Sequence, residues 1–463
     1  MDARWSELWS VERRAATATV ALGVVLFAFN AFVVSTALPR AVAEFGGTRW
    51  LAWATSLYII CSIVTGPAAA LVMHRIGAKA MFMAAGGVFL AGTLMAAAAP
   101  SMVWLLVGRA MQGAAAGCIE SGCYVLIPRL FPPRLISRVF GIEAVAWAVA
   151  AFAAPALAGV LAAAFSWRVA LLASVPMVLI FLALVPRVVG GRGERTGEVP
   201  RLPLWSLLGV AGGMGLIVLS DSSGALALQL IYVAAGLGLF VAVIRSDGRR
   251  GGRLVPHGAF SLRRRLGLGL WVALLMPMSQ SVEAVFLVYV LQFLWEFTPL
   301  QAGLSPTVLA LSWSAAQMLT AQIRGERGWL VAAGAGLLVL GQAMMFAAFW
   351  GHSVALMLAA QLVLGAAFGT SWGALSQVVM ESAGADRDQA SGLLPVVFSA
   401  GFGIGAALIG PVANGLGFGT AKGADLQGVM LWLIVAAGGL AVVAAMMALG
   451  LARRGTQAGV HQA

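Results

Sequence analysis

Fourteen long apolar stretches constrain the fold of this chain more than any other feature of its sequence. Each has about 18–27 residues, and about 20 apolar residues are enough for a helix to cross the hydrocarbon core of a bilayer. Charged residues make up only 10% of the 463 residues, against about 25% in a soluble protein. Backbone polar groups in lipid must bond within their own segment, and none of the stretches alternates like a barrel strand, so we predict an all-α integral membrane protein. The predicted spans are 17–38, 51–73, 80–99, 102–126, 139–164, 169–186, 203–220, 226–244, 267–292, 300–320, 328–350, 354–379, 391–414 and 428–451.

The distribution of basic residues predicts the orientation of the chain. Of its 29 lysines and arginines, 24 fall in segments on the same side as the two termini, and four fall on the opposite side. Because the loops on the cytoplasmic side carry the excess of Lys and Arg, we expect both termini to be cytoplasmic and the chain to lie in the inner membrane of a bacterium. This bias also accounts for the net charge of +12, so nucleic acid is not expected as a partner.

Two long connections predict how the chain is divided. Residues 186–203 and 244–267 are basic and rich in glycine, and they bracket a hairpin of two spans. We therefore predict a six-helix bundle at 1–186, a two-helix insert at 187–266 and a second six-helix bundle at 267–463. Runs of small residues with proline at 153–159 and at 401–411 indicate two internal repeats, a plan common in transporters. The alternative is that glycine and alanine are simply frequent in membrane helices.

The fourth span carries an unusual polar stretch. Arg109 and Glu120 are eleven residues apart, which places both on one helix face, about 16 Å apart along the axis and too far for a direct ion pair. A charged side chain at the centre of a span costs roughly 2.5–3.5 kcal/mol, so we expect this face to line a cavity. The alternatives are that Arg109 is a structural hydrogen-bond hub and that Glu120 belongs to a buried pair with a neighbouring helix.

Two other acids fall within predicted spans. Glu283 lies well inside the ninth span, next to Gln280 and two serines, and we expect it to line the cavity. Glu143 lies one turn into the fifth span. For Glu143 the favoured interpretation is a pair with Arg138 or Arg134 near the cytoplasmic surface.

Aromatic side chains offer walls for an apolar cavity that would suit hydrophobic or cationic solutes. The alternative is ordinary helix packing and interfacial belts. The candidates for a substrate cavity are Asn30, Gln112, Phe286, Tyr289, Trp313 and Trp372. The sequence has no phosphate loop, no catalytic constellation and no Cys/His cluster at metal-ligand spacing, so we expect a protein that is not an enzyme and has no cofactor.

Several short motifs are spread from about residue 30 to residue 411. They are Gly108–Gly113, which matches RxxQG, Ala154–Gly159 to GPxxGG, Trp167–Arg168 with Val175–Pro176 to WR…NVP, Thr36–Pro39 to the end of a first-span signature, Tyr289–Gln292 with Gln301–Leu304 to YLQ…QAGL, and Ala390–Gly392 to a later cytoplasmic boundary. Each motif is weak, but their order and spacing are specific, and in these the chain resembles the major facilitator superfamily, and specifically its fourteen-span drug:proton antiporter branch.

The resemblance implies two six-helix bundles around a central cavity, plus the insert, and secondary active export of small molecules by alternating access. Protons, a small-molecule substrate and the lipid bilayer are the expected partners of a monomer. We assign proton coupling to Arg109, Glu120 and Glu283. The expected hinge or gating residues are Gly113, Pro155, Gly159, Gly410 and Pro411.

Two departures from the family pattern leave other functions open. Asn30 stands where the branch usually has an acid, and His74 stands where a cytoplasmic loop usually has an aspartate. The first puts the usual proton carrier in doubt, and the second weakens the usual cytoplasmic latch; His74 itself is interpreted as a solvated loop residue. The alternatives are a transporter of a specific metabolite, siderophore or lipid, which need not be coupled to protons, and a membrane sensor or scaffold that transports nothing.

Overall fold

The computed structural model describes residues 5–45, 50–189, 203–221, 225–247, 253–323, 326–418 and 421–460. Within these ranges the chain is helical throughout its spans, as predicted. The helices are α1 (Arg14–Phe45), α2 (Trp50–Thr65), α3 (Ala69–Ile76), α4 (Ala78–Ala97), α5 (Met102–Leu130), α6 (Pro133–Ala164), α7 (Trp167–Leu171), α8 (Val175–Val188), α9 (Leu204–Asp221), α10 (Leu226–Ser246), α11 (Arg265–Leu294), α12 (Pro299–Thr320), α13 (Arg327–Trp350), α14 (Val354–Ser382), α15 (Arg387–Gly415) and α16 (Ala424–Val460).

The predicted number of fourteen transmembrane helices is wrong. In the part of the chain that the structure describes, twelve helical segments are long and apolar enough to cross a membrane. The apolar part of α9, Leu204–Ser220, is too short. Helix α12 has 22 residues, but serine, threonine, glutamine and proline interrupt its apolar surface, so it is not among the twelve.

The chain divides into two compact units. Unit 1 comprises Met1–Met214, Leu239–Pro256 and Asp388–Val396, and unit 2 comprises Gly215–Gly238, His257–Arg387 and Val397–Ala463. The predicted domain boundaries at residues 186 and 266 stay predictions. Much of the two basic linkers, residues 190–202 and 248–252, lies outside the described residues.

Small residues set the position of α5 inside unit 1. A Cβ added at Gly113 would lie 2.2 Å from the carbonyl oxygen of Tyr58, and one at Gly117 would lie 2.3 Å from that of Ser62. Only glycine therefore allows α5 to touch the backbone of α2. Between membrane helices, where the hydrophobic effect gives little drive, such close packing supplies the attraction.

Unit 2 repeats this arrangement on different helices. A Cβ added at Gly365 on α14 would lie 2.2 Å from the carbonyl oxygen of Leu309, and one at Gly369 would lie 2.3 Å from that of Trp313. In both units, two glycines four residues apart contact two carbonyls four residues apart. This correspondence supports the interpretation of the chain as two structural repeats.

Candidate functional site

The polar stretch of α5 forms a buried hydrogen-bond network in unit 1. Arg109 is 1% exposed. Its Nη1 donates to Oδ1 of Asn30 on α1 and, at 2.8 Å, to Oε1 of Gln112. Gln112 Nε2 in turn donates to the hydroxyl of Thr93 on α4 at 2.8 Å, and Thr93 donates to the carbonyl of Phe89 at 2.9 Å. The structure therefore brings three predicted site residues, Asn30, Arg109 and Gln112, together.

Helix α2 completes the surroundings of the guanidinium. The Cζ atom of Arg109 lies 4.3 Å from the centroid of the Tyr58 ring, within the range of a cation–π interaction. The Tyr58 hydroxyl donates to the carbonyl of Phe27 on α1 at 3.0 Å. Arg109 thus links α1, α2 and α5 directly and α4 through Gln112, so it is a hydrogen-bond hub whatever else it does.

Glu120 lies farther along α5 and is also buried. It interacts electrostatically with Tyr58 on α2, with Cys123 on its own helix and with Glu143 on α6. Cys123 in turn lies against α1, because a Cβ at Gly23 would be 2.5 Å from its sulfur. Glu120 therefore faces the interior of unit 1.

The predicted pairing of Glu143 with Arg134 or Arg138 is wrong. Glu143 is 3% exposed, and neither carboxylate oxygen has a hydrogen-bond partner among the described residues. Arg134 instead pairs with Glu7 at 2.8 Å, and Arg138 lies over the ring of Trp5 at 5.7 Å. Glu143 is thus a second buried acid of unit 1.

Helix α6 begins before its apolar run, and this places Glu143 deeper in the helix than the sequence predicts. The helix begins at Pro133 and not at residue 139, where the apolar run starts. At 1.5 Å per residue, Glu143 is about 15 Å along the axis from this start. A proline at the first helical position is a known start signal, and it would have placed Glu143 deeper.

Glu283 is the corresponding buried acid of unit 2. It is 3% exposed on α11, and both of its carboxylate oxygens lack a hydrogen-bond partner within the described chain. The amide of Gln342 on α13 faces it without reaching hydrogen-bond geometry. Gln342 Nε2 donates to Ser279 Oγ at 3.3 Å, and Ser279 donates to the carbonyl of Ala437 on α16 at 2.9 Å. The acid therefore faces α13, one turn from the point where Ser279 of its own helix bonds to α16.

The predicted aromatic cavity residues fall into two groups in unit 2. Trp313 is stacked on Phe368 at 4.9 Å, and Trp372 contacts Phe398 at 4.7 Å, with Phe398 also 5.7 Å from Trp313. In the second group the ring of Phe418 contacts both Phe286 and Tyr289, with centroids 4.7 and 5.1 Å apart. Tyr289 is 38% exposed, whereas Phe286 is buried. Their role in binding a solute stays a prediction.

The predicted hinge residues differ in their surroundings. Gly113 is tightly packed against α2, whereas a Cβ at Gly159 or Gly410 would meet no atom of the described residues within 4 Å. Pro155 lies inside α6, and Pro411 lies inside α15. A hinge role for any of them is still a prediction.

His74, which stands in place of the loop aspartate, meets an acid from elsewhere in unit 1. Nε2 of His74 lies 3.3 Å from a carboxylate oxygen of Asp388, and Arg129 at the end of α5 pairs with the same carboxylate. The interpretation of His74 as merely solvated is therefore wrong. The acid comes from the start of α15, so an acid and basic side chains meet here although the loop aspartate is missing.

The Trp167–Arg168 motif holds the end of α1 at the other side of unit 1. Both guanidinium nitrogens of Arg168 donate to the Glu44 carboxylate at 2.8 Å, and the indole of Trp167 donates to it at 2.7 Å. These bonds, those from Arg168 first, lower the pKa of Glu44 from 4.5 to about 2. The motif is therefore a structural clamp.

Comparison with known proteins agrees with this architecture. A protein named "Probable multidrug-efflux transporter" from Mycobacterium tuberculosis is 33% identical over 462 residues, which cover 94% of this chain and 95% of the relative. The "Probable actinorhodin transporter" of Streptomyces coelicolor is 27% identical over 424 residues, covering 86% of this chain and 72% of the relative.

A solved structure shares the fold. The human organic anion transporter MFSD10 superimposes with a TM-score of 0.67 at 16% identity, covering 94% of this chain and 99% of that one. These similar proteins are transporters, and nothing in the comparison points to an enzyme. Residues 20–406 match the family itself, so this membrane-spanning chain belongs to the Major Facilitator Superfamily of transporters.

Proposed function

We propose that the protein is a multidrug-type exporter of the bacterial inner membrane that exchanges hydrophobic or cationic small molecules for protons by alternating access. The observation that carries the proposal is the pair of enclosed acids, Glu120 in unit 1 and Glu283 in unit 2. A buried carboxylate is costly when ionised and unpartnered, so each acid is suited to bind a proton when enclosed and to lose it when water reaches it.

The relatives support export as the direction of transport. The Mycobacterium tuberculosis relative is named a multidrug-efflux transporter, and its similarity extends over nearly the whole of both chains. Aromatic side chains in unit 2, such as Trp313 and Trp372, offer apolar surface with polarisable rings, which suits hydrophobic cations.

In this proposal Arg109 positions the polar network and does not carry the proton. An arginine keeps its charge in proteins, and its acceptor Asn30 cannot take up a proton at neutral pH. The groups that titrate are therefore the carboxylic acids.

The test is efflux of ethidium, a hydrophobic cation, from proteoliposomes with an imposed pH gradient. Glu120→Gln and Glu283→Gln are each compared with the wild type, and the exposed Glu12→Gln serves as the matched control. We expect gradient-driven efflux in the wild type and in the control, and its loss in at least one of the other two variants. Unchanged coupled efflux in both would contradict the assignment.

A second candidate is export of one specific metabolite without proton coupling. Two observations favour it: the Streptomyces coelicolor relative is named for a single compound, and Asn30 occupies the position where the drug:proton branch usually has an acid. Efflux that continues unchanged in the presence of a protonophore would support this candidate against the first.

A further inference from the structure

Unit 1 encloses two acids on adjacent helices, and the function proposed above uses only one of them. Glu120 on α5 and Glu143 on α6 interact electrostatically. The facing surfaces of the two helices are in contact at this level, because the ring of Tyr124 lies 5.4 Å from that of Phe140. On each helix the acid is three or four residues from that ring, so it lies on the same face.

No basic side chain among the described residues pairs with Glu143. Both of its oxygens are buried and have no hydrogen-bond partner in the described chain, and the Tyr124 hydroxyl faces the carboxylate without reaching hydrogen-bond geometry. The nearest basic residues of its own helix, Arg134 and Arg138, contact Glu7 and Trp5 instead. An isolated ionised carboxylate would be very costly here.

Among the described residues, the groups next to the two acids are neutral, and the enclosed cation of unit 1, Arg109, faces the ring of Tyr58, eleven residues before Glu120 on α5. On α5 the neutral groups are Cys123 and Tyr124, on α2 it is Tyr58, and on α1 the contact near Cys123 is Gly23. Two like charges in such surroundings cannot both form cheaply, as in other carboxylate pairs that share one site.

We infer that Glu120 and Glu143 form one proton-binding site, in which a single proton is held by either acid while the other is ionised. A proton from water bonds to one carboxylate oxygen, and the negative charge stays on the second acid. The site deepens the proposed function, since its use in transport depends on proton coupling, but binding of the proton itself does not.

The inference is tested by infrared titration of the purified full-length protein in liposomes, with no transported solute. Buried protonated carboxyl groups give a carbonyl stretching band that disappears on ionisation, and the Glu120 and Glu143 bands are assigned from their loss in Glu120→Gln and Glu143→Gln. We expect Glu143→Gln to move the pH at which the Glu120 band is half lost downward by about one pH unit or more, because a like charge has been removed. Glu120→Gln should move the pH at which the Glu143 band is half lost in the same direction, because it removes the same like charge.

A control in unit 2 and a fallback measurement separate this outcome from its alternatives. Glu283→Gln, in unit 2, should leave both unit 1 bands where they are. If one unit 1 variant fails to elute as a folded protein, the other measures the same coupling from its partner's side.

Bands that titrate at unchanged pH in both unit 1 variants would show two independent acids and overturn the inference. Failure of the proposed function gives a different result, namely wild-type protein that shows coupled bands but no gradient-driven efflux of ethidium.

Discussion

Removal of the amide of Asn30 should destabilise unit 1 by an amount that follows from its contact with Arg109. Asn30→Ala deletes the oxygen that accepts from Nη1 of a guanidinium that is 1% exposed. A hydrogen bond to a charged group contributes about 1.5–3 kcal/mol, and a buried donor left without its acceptor costs a similar amount. For a folding unit of 150–250 residues each kcal/mol corresponds to roughly 2–4 °C, so we expect a melting temperature lower by roughly 3–12 °C.

The chain carries its own reporters for this measurement. All three cysteines, Cys61, Cys118 and Cys123, are buried or half-buried and lie in unit 1, so a dye that fluoresces on reaction with thiols will report the unfolding of this unit. The matched control is Asn414→Ala, at an exposed asparagine of unit 2. A surface substitution of this kind changes stability by about 0.5 kcal/mol or less, which is within about 2 °C.

A second variant separates loss of the acceptor from loss of shape. Asn30→Asp keeps a side chain of the same outline and retains an oxygen that can accept from Arg109, so it should melt above Asn30→Ala at neutral pH. If Asn30→Ala melts within about 2 °C of the wild type, or if Asn30→Asp melts as low as Asn30→Ala, the contact with Asn30 does not stabilise the buried arginine as argued.

Three other predictions use the same thermal assay. Gly113→Ala places a Cβ 2.2 Å from the Tyr58 carbonyl, and this overpacking should lower the free energy of unfolding by about 1–3 kcal/mol. Gly159→Ala, with open space around it, should be neutral or slightly stabilising. Equal losses of stability in the two variants would refute the packing argument. The pKa of Glu44 is lowered from 4.5 to about 2, so its contacts with Trp167 and Arg168 stabilise the fold above pH 4.5 and are lost as the pH falls toward 2. Glu44→Gln should therefore flatten the plot of melting temperature against pH in this range. An identical plot for both proteins would contradict the role of these contacts. Asp388→Asn removes the shared partner of His74 and Arg129. Because these side chains are partly exposed, the free energy of unfolding should fall by about 1 kcal/mol or less, and the difference should shrink in high salt. A difference that salt does not change would contradict its assignment to these ion pairs.

The helical fold follows from the sequence because lipid leaves the backbone few choices, but the number of spans does not. Helix α12 is too polar to be among the candidate spans by composition. Ser305, Ser314 and Gln317 are nevertheless buried within the protein, and Trp313 donates to Gln317 at 2.9 Å. The apolar pattern of a sequence does not tell whether a polar residue faces lipid, water or another helix. The pattern alone was therefore not enough to predict that α9 and α12 span the membrane.

Within the site, contacts along one helix were predictable and contacts between helices were not. Arg109 and Gln112 are three residues apart, a spacing at which side chains on a helix meet, and their hydrogen bond is observed. The contact of Arg109 with Asn30 joins positions 79 residues apart in the chain, and the pairing of Arg134 with Glu7 joins positions 127 apart. The contact with Arg109 makes Asn30 part of the network, and the pairing of Arg134 with Glu7 leaves Arg134 unavailable to Glu143.

The charges enclosed within the spans of unit 1 give the proposed proton site a consequence for the cargo. Those of the described residues are Arg109, Glu120 and Glu143. With one proton on the acid pair, the arginine and the remaining carboxylate leave the interior neutral, and with two protons the interior carries one positive charge. Uptake of the second proton therefore makes the interior repel a cation, while its loss makes room for one. A proton and a cationic solute would then compete for the same negative charge, which is the exchange that an antiporter requires. This competition should persist in Asn30→Ala, which changes no charge, and in Glu143→Gln, which leaves Glu120 to titrate, and it should be abolished when Glu120 and Glu143 are both replaced by glutamine.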